Sequence, residues 1–242
     1  MTAPSEDEFR ALARSSPWRF STLHFTHRRA DGRVAEAWLS RPGRLRVVDE
    51  HGTHVESGVP YSKAALVSEG SSPPWTPSPP QAHRPILRPD GLVASRPSAV
   101  DVDYDDPMWQ SFDWVAMLDP VELSTGTVLS DLAQTARLGR STWWAVARAT
   151  EGYGPRCSCC PLLWGEVSER LLHGEAGQAY AAPPSSTYPD AWLVGLDVQT
   201  GVVVSCEPIG GTRHDLGFTM HILAVGDPMD DALFRAPDRP LP

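Results

Sequence analysis

The sequence predicts an α+β domain, mainly antiparallel β: a large curved sheet or unclosed β-barrel with two or three helices packed on one face. Three observations predict it. Segments of apolar/polar alternation recur in both halves of the chain, most are joined by short turn signals, and no β-α-β alternation is present. Connections of two to four residues cannot join parallel strands, so the strands must form antiparallel meanders. At 242 residues and 41% apolar, the chain can bury such a core without disulfides or a metal, and it reads as a single domain over 1–242.

The elements follow in order. Ser5 with Glu8 three residues later is a capping box, and Phe9 and Leu12 give the short helix an apolar stripe. From Trp18 the period becomes two: Phe20, Thr22, His24 and Thr26 share one side of a strand, and Leu23, Phe25 and His27 the other. Asp31-Gly32 turns the chain into a strand over 34–40, Pro42-Gly43 into one over 45–49, and His51-Gly52 into a fourth over 54–58. Eight prolines between Pro73 and Pro97 exclude a regular ladder or helix, so 69–98 is expected to be a surface loop. Asp106-Pro107 has the form of a helix start, an Asp cap with proline at the first helical position. Met108, Trp109, Phe112, Val115 and Ala116 follow at helical spacing, and Asp119-Pro120 ends the run. Strands are expected over 127–138 and 141–150 around Gly139-Arg140, over 191–198 and 202–207 around Gln199-Thr200-Gly201, and over 216–225. Asp227-Pro228 opens a last turn carrying Leu233 and Phe234, and 236–242 is expected to be a flexible tail.

Charge excludes one large class of partner. Residues 1–100 carry 13 basic against 10 acidic side chains, and 101–242 carry 8 against 20, in a chain of net charge −9. The acidic part repels phosphate and no basic patch is concentrated enough to offset it, so nucleic acid is not expected as a partner. No run of about 18 apolar residues exists, so membrane insertion through a helix is not expected either. Met1 to Phe9 is acidic and polar, unlike a secretory signal, and the expected location is cytoplasmic.

Common catalytic signatures are absent, among them Gly-x-Ser-x-Gly, His-Glu-x-x-His, Gly-x-Gly-x-x-Gly and the phosphate loop. Asp101, Asp103 and Asp105 occupy the first ligand positions of a calcium loop, but Asp106 stands where the turn needs glycine and Phe112 where the bidentate Glu belongs. Cys157, Cys159 and Cys160, bracketed by Pro155 and Pro161, are the most unusual local feature, and Cys206 is the fourth cysteine. Four thiolates are the number a structural zinc needs, although adjacent Cys159 and Cys160 crowd one tetrahedral ion. Cys157-x-x-Cys160 also fits a redox pair, and free thiols packed as small apolar groups are the default in a reducing compartment. His24/His27 and His51/His54 lie three apart, on opposite faces of a strand, and read as surface or hydrogen-bonded histidines. His214-Asp215 and His221 resemble a base with its orienting carboxylate but have no nucleophile beside them. The aromatic set reads in two ways. Met108, Trp109, Phe112, Trp143 and Trp144 either pack as core between helix and sheet, or line an apolar cavity between them. One of Trp143 and Trp144 must point outward, where it would mark a protein contact.

Two stretches resemble the bacterial lipoprotein-carrier superfamily of LolA-like, RseB-like and LppX-like half-barrels. The first runs from Gly32-Arg33-Val34 through Trp38-Leu39-Ser40-Arg41-Pro42-Gly43-Arg44-Leu45-Arg46-Val47. The second is Leu196-Asp197-Val198-Gln199-Thr200-Gly201-Val202-Val203 with Phe218-Thr219-Met220 and Asp231-Ala232-Leu233-Phe234. The resemblance implies an unclosed barrel whose helices form a lid over an apolar cavity for lipid or acyl chains. Members of that family are exported, and the cysteine cluster and proline segment are not part of its pattern.

The expected function is therefore a non-enzymatic cytoplasmic protein that binds a lipid-like small molecule, or a partner's apolar segment, between sheet and helix. Met108, Trp109, Phe112, Trp143 and Trp144 are the expected lining. The alternatives are a thiol-redox or zinc protein centred on Cys157, Cys159, Cys160 and Cys206, and a purely structural or interaction protein. No cofactor is expected on the first reading, and zinc on the second.

Overall fold

The computed structural model describes residues 2–57, 82–97, 106–111, 113–157, 159–174 and 184–236. Helix α1 (Glu6–Ala13) starts at the capping box: the Ser5 hydroxyl accepts from Glu8 N–H at 3.2 Å and the Glu8 carboxylate accepts from Ser5 N–H at 2.7 Å. It buries Phe9 and Leu12 completely. The chain then enters β1 (Thr22–Arg29), β2 (Val34–Ser40), β3 (Arg44–Asp49) and β4 (Gly52–Ser57), an antiparallel meander with the turns the sequence indicates. The second half supplies β7 (Thr127–Arg137), β8 (Arg140–Ala149), β9 (Ala191–Asp197), β10 (Val203–Ile209) and β11 (Phe218–Val225), another antiparallel meander.

The two meanders become one nine-stranded sheet because β1 pairs with β11, giving the order β4-β3-β2-β1-β11-β10-β9-β8-β7. The edges, β4 and β7, do not meet, so the barrel is unclosed, as the sequence predicts. Register irregularities between His24 and Phe25, between Val203 and Ser205, and between Ser130 and Ala133 bend it. Leu23, Phe25, Ala37, Leu39, Leu45, Val47, Ala145, Ala147, Val194, Leu196 and Met220 all face one continuous core. On that face lie α1, α2 (Asp113–Leu118) and the turn Val121–Leu123, and α3 (Glu166–Gly174) begins just after the buried Leu162 and Leu163. No helix among the described residues is long and apolar enough to cross a membrane.

Three local expectations need correction. The helix expected from Asp106-Pro107 starts only at Asp113, and 106–111 is non-helical, with a bridge between Trp109 and Ser111. The Asp106 carboxylate is not free to cap: Arg41 takes both its oxygens, at 2.6 and 2.8 Å, with both side chains 1% exposed. Gln110 adopts φ 64°, which breaks any helix there. The β7–β8 turn is Leu138-Gly139 rather than Gly139-Arg140, since Leu138 (φ 50°) and Gly139 (φ 80°) supply the paired positive φ of a two-residue hairpin. Of the proline segment, 82–97 carries a small antiparallel ribbon, β5 (Ile86–Leu87) with β6 (Val93–Ser95). It docks on the α1 side of the core: Val93 N–H donates to Ser15 Oγ at 2.8 Å and Arg14 Nε to the Val93 carbonyl at 2.6 Å. The rest of that segment, the Asp101–Asp105 acidic run, Phe112 and 237–242 lie outside the described residues.

Candidate functional site

One end of the core face, where the C-terminal half of β1 meets the start of β11, carries a group of adjoining recesses among the described residues. The pairing of Arg29 with Phe218 and of His27 with Met220 fixes it. His27 points to the core face by the same alternation that buries Leu23 and Phe25. Its ring sits 5.1 Å from the rings of both Trp114 and Phe218. Trp109 in turn stands edge-on to Trp114 at 5.1 Å. The pocket between His27, Leu162, Trp164, Trp192, Cys206 and Phe218 measures about 70 Å3. It shares the walls Arg29, Leu216, Gly217 and Phe218 with an open groove of about 480 Å3 bordered by Arg28, Glu207 and His214. Smaller recesses beside Trp109 and Gln110 also border on His27 and Arg29.

Polar groups at this cleft are unusually placed. Among the described residues, the indole N–H of Trp114, a residue 3% exposed, has no hydrogen-bond partner, and Arg29 Nε has no hydrogen bond, although it is ion-paired with Asp31 at 3.5 Å. Asp113 is occupied, accepting from Trp114 N–H at 2.8 Å and from the Ser111 hydroxyl. His27 makes no hydrogen bond among the described residues, so the expectation of a surface or hydrogen-bonded histidine is corrected at this position. His24 fits it: on the opposite face it reaches Glu36 at 2.8 Å and stacks on Trp38 at 4.7 Å. Burial, with a further push from Arg29 against a weaker pull from Asp31, lowers the His27 pKa from 6.5 to about 4.

That shift has a definite consequence for stability. The unfolded chain protonates His27 near its ordinary value and the folded chain does not, so the unfolded state binds more protons between the two values. Stability must fall as pH falls through that window. Unfolding by urea at about pH 7 and about pH 5 should show a loss of roughly 2 kcal/mol from this group, and His27→Gln should remove that part of the pH dependence. Equal pH dependence in the two proteins would contradict the burial of a neutral imidazole.

The structure separates the five aromatic and apolar residues singled out in the sequence. Trp109 borders the cleft, Met108 beside it is 43% exposed, and Phe112 is outside the described residues. Trp143 packs into the core, away from the cleft walls, with its indole N–H buried and unpartnered. Trp144 is on the opposite face of the sheet, lying over Gly195, where a Cβ would stand 2.9 Å from its ring, and donating to Thr135 Oγ1 at 2.8 Å. Trp114, Arg29, Phe218 and Trp164 were not singled out. The alternation of β1 carries a signal for Arg29 and His27, but the contact with Phe218 needs the β1–β11 pairing. His214 and Asp215 form no dyad, because Asp215 pairs with Arg213 at 2.7 and 2.8 Å.

A second cluster lies in the loop between β8 and α3. Glu122, fully buried, holds both flanks of that loop by accepting from Arg156 N–H at 2.9 Å and Leu162 N–H at 2.7 Å, and Tyr153 also bonds to it. Burial raises the Glu122 pKa against these bonds. Between the two flanks, the Sγ atoms of Cys157 and Cys159 are 2.8 Å apart and those of Cys159 and Cys160 3.4 Å. Cys206 does not join them, which corrects the four-cysteine set. Its place on β10 opposite Val194 turns its thiol into the core, where it donates to the Leu162 carbonyl at 3.7 Å and burial pushes its pKa well up. The closest pair is Cys157 and Cys159, not Cys157 and Cys160.

The fold is that of an unclosed antiparallel half-barrel with helices on one face, the class that the sequence resemblance implied. Among solved structures it is similar to MucB, with 12% identity over 96% of this chain and 62% of that one, at a TM-score of 0.34. It is also similar to a chain of the Pseudomonas aeruginosa MucA/MucB complex, with 14% identity over 96% of this chain and 61% of that one, at a TM-score of 0.39. The chain thus spans about three-fifths of the length of the structures it matches. No protein-family model matches the sequence, and no curated protein does.

Proposed function

We propose that the protein is a non-catalytic binding protein that takes an extended, aromatic-bearing segment of a partner protein at the cleft around His27 and Trp114. The observation that carries this reading is the buried indole N–H of Trp114, without a partner among the described residues, on a side chain that lines the same recess as Arg29. A buried donor without an acceptor costs about 1–3 kcal/mol, which an occupant carrying acceptors recovers. Main-chain carbonyls of an extended segment supply such acceptors, and an aromatic side chain suits the walls of Trp109, Trp164, Trp192 and Phe218. A lipid-like molecule is the weaker occupant on two grounds. An acyl chain brings no acceptor for these donors, and the recess at Trp114 and the pocket beside it, about 10 and 70 Å3, are far below the several hundred Å3 typical of small-ligand cavities, while the adjoining groove of about 480 Å3 is open rather than enclosed. His27 has no carboxylate to orient it among the described residues, so the site lacks the arrangement of a general base.

Selection of a random-sequence peptide library on the immobilised full chain tests the proposal. Retained peptides should be rich in an aromatic residue flanked by apolar ones, and Trp109→Ala, a change at a partly exposed wall, should lose at least tenfold in their affinity. Retention of peptides without aromatics, or equal binding by the Trp109→Ala protein, would overturn it.

A further inference from the structure

The cleft makes no use of the Cys157-Cys159-Cys160 loop, yet the residues flanking that loop are hydrogen-bonded and its three sulfurs converge. All three Sγ atoms lie within 4.8 Å of one another. Glu122 fixes the flanks, Tyr153 accepts from Leu163 N–H at 3.1 Å, and Cys160 N–H returns to the Cys157 carbonyl at 3.4 Å. A single disulfide consumes two thiols and would leave the third sulfur's position unexplained. An ion shared by all three explains it.

We propose that Cys157, Cys159 and Cys160 form a three-thiolate site for one soft monovalent metal ion, copper(I). Sulfurs bound at about 2.3 Å in a plane around one ion stand about 4 Å apart. Two of the observed spacings, 2.8 and 3.4 Å, are shorter than that value and the third is no more than 4.8 Å, so binding requires side-chain rotations that spread Cys159 from its two neighbours. The number of donors selects the ion. Structural zinc takes four ligands, and no fourth His, Cys, Asp or Glu joins the three among the described residues. Copper(I) is content with three sulfurs, and thiolates are the donors it prefers. Cys159 is exposed, so the ion has a path in, while the flanking Cys157 and Cys160 are partly covered.

Loading is a substitution without electron transfer. Three S–H bonds give up their protons to solvent, three Cu–S bonds form, and copper stays monovalent.

The test uses the reduced full chain, handled without oxygen and supplied with copper(I) against a competing copper(I) chelator. One equivalent should be retained, with a shell of three sulfurs by X-ray absorption. Alkylation of the native chain should modify the three loop thiols and spare buried Cys206, and one equivalent of copper(I) should protect all three. The combined Cys157→Ser, Cys159→Ser and Cys160→Ser variant should lose the copper, and Cys206→Ala should keep it. Undiminished alkylation in the presence of copper would overturn the proposal on the unsubstituted chain, whatever the variants' folding. So would copper retained by the triple variant, a four-sulfur shell, or equal retention of zinc(II).

Discussion

Asp106→Ala is expected to destabilise the fold by about 3–5 kcal/mol, the usual effect of removing one partner from a buried ion pair. Arg41 leaves the β2–β3 turn and is sealed in the interior, where its guanidinium lies 3.9 Å above the Phe20 ring and donates to the carbonyls of Ser16 and Leu118 at 2.9 and 3.4 Å. Without Asp106 it stays buried as an uncompensated charge. The carbonyls it holds belong to the segment after α1 and to the last residue of α2, so the loss also loosens the element that carries Trp114. Chemical denaturation followed by far-ultraviolet circular dichroism measures the change. Replacing both partners by apolar residues, Arg41→Met with Asp106→Leu, should recover most of it, because no charge is then left without its partner. A loss below about 1 kcal/mol for Asp106→Ala would show that water reaches Arg41.

Trp114→Ala is the second large effect, about 3–5 kcal/mol. The side chain is 3% exposed and packs between Phe25, His27 and Trp109, with ring centroids 5.1 to 5.5 Å away, so truncation opens a void at the heart of the cleft. Trp114→Phe separates stability from binding. It keeps most of the apolar volume and removes an N–H that has no partner among the described residues, so it should unfold closer to the parent than Trp114→Ala. Its affinity for the selected peptides should nevertheless fall about tenfold, the equivalent of one hydrogen bond of about 1.4 kcal/mol. Affinity unchanged in Trp114→Phe would remove the indole from the recognition surface.

The parts of this fold that were legible in the sequence are those whose cause is local. The Ser5/Glu8 capping box, the Asp31-Gly32 and Pro42-Gly43 turns and the alternation of Leu23, Phe25 and His27 each need only neighbouring residues. The Asp106-Pro107 helix start failed because a distant group, Arg41, competes for the same carboxylate, and a local cap signal says nothing about a competitor across the core. The site was less legible than the fold. Its walls come from β1 and β11, at opposite ends of the chain, and from the segment before α2, and only the β1–β11 register brings Arg29 to Phe218. Trp143 and Trp144 were rightly expected to face opposite ways, but adjacency alone does not say that neither borders the cleft. The cysteine trio was visible because it is local. The separation of Cys206 from it depends on the β9–β10 register and was not.

The central claim, that the cleft around His27 and Trp114 is the recognition surface, is tested most directly at one atom. The indole N–H resonances of Trp114 and Trp143 are both expected from buried donors without partners, but only Trp114 lines the cleft. In a nitrogen-proton correlation spectrum of the labelled full chain, a selected peptide should move the Trp114 indole signal as that N–H gains an acceptor, and leave those of Trp143 and Trp144 in place. A spectrum in which the Trp144 signal moves and that of Trp114 stays would put the binding surface on the opposite face of the sheet and contradict the account.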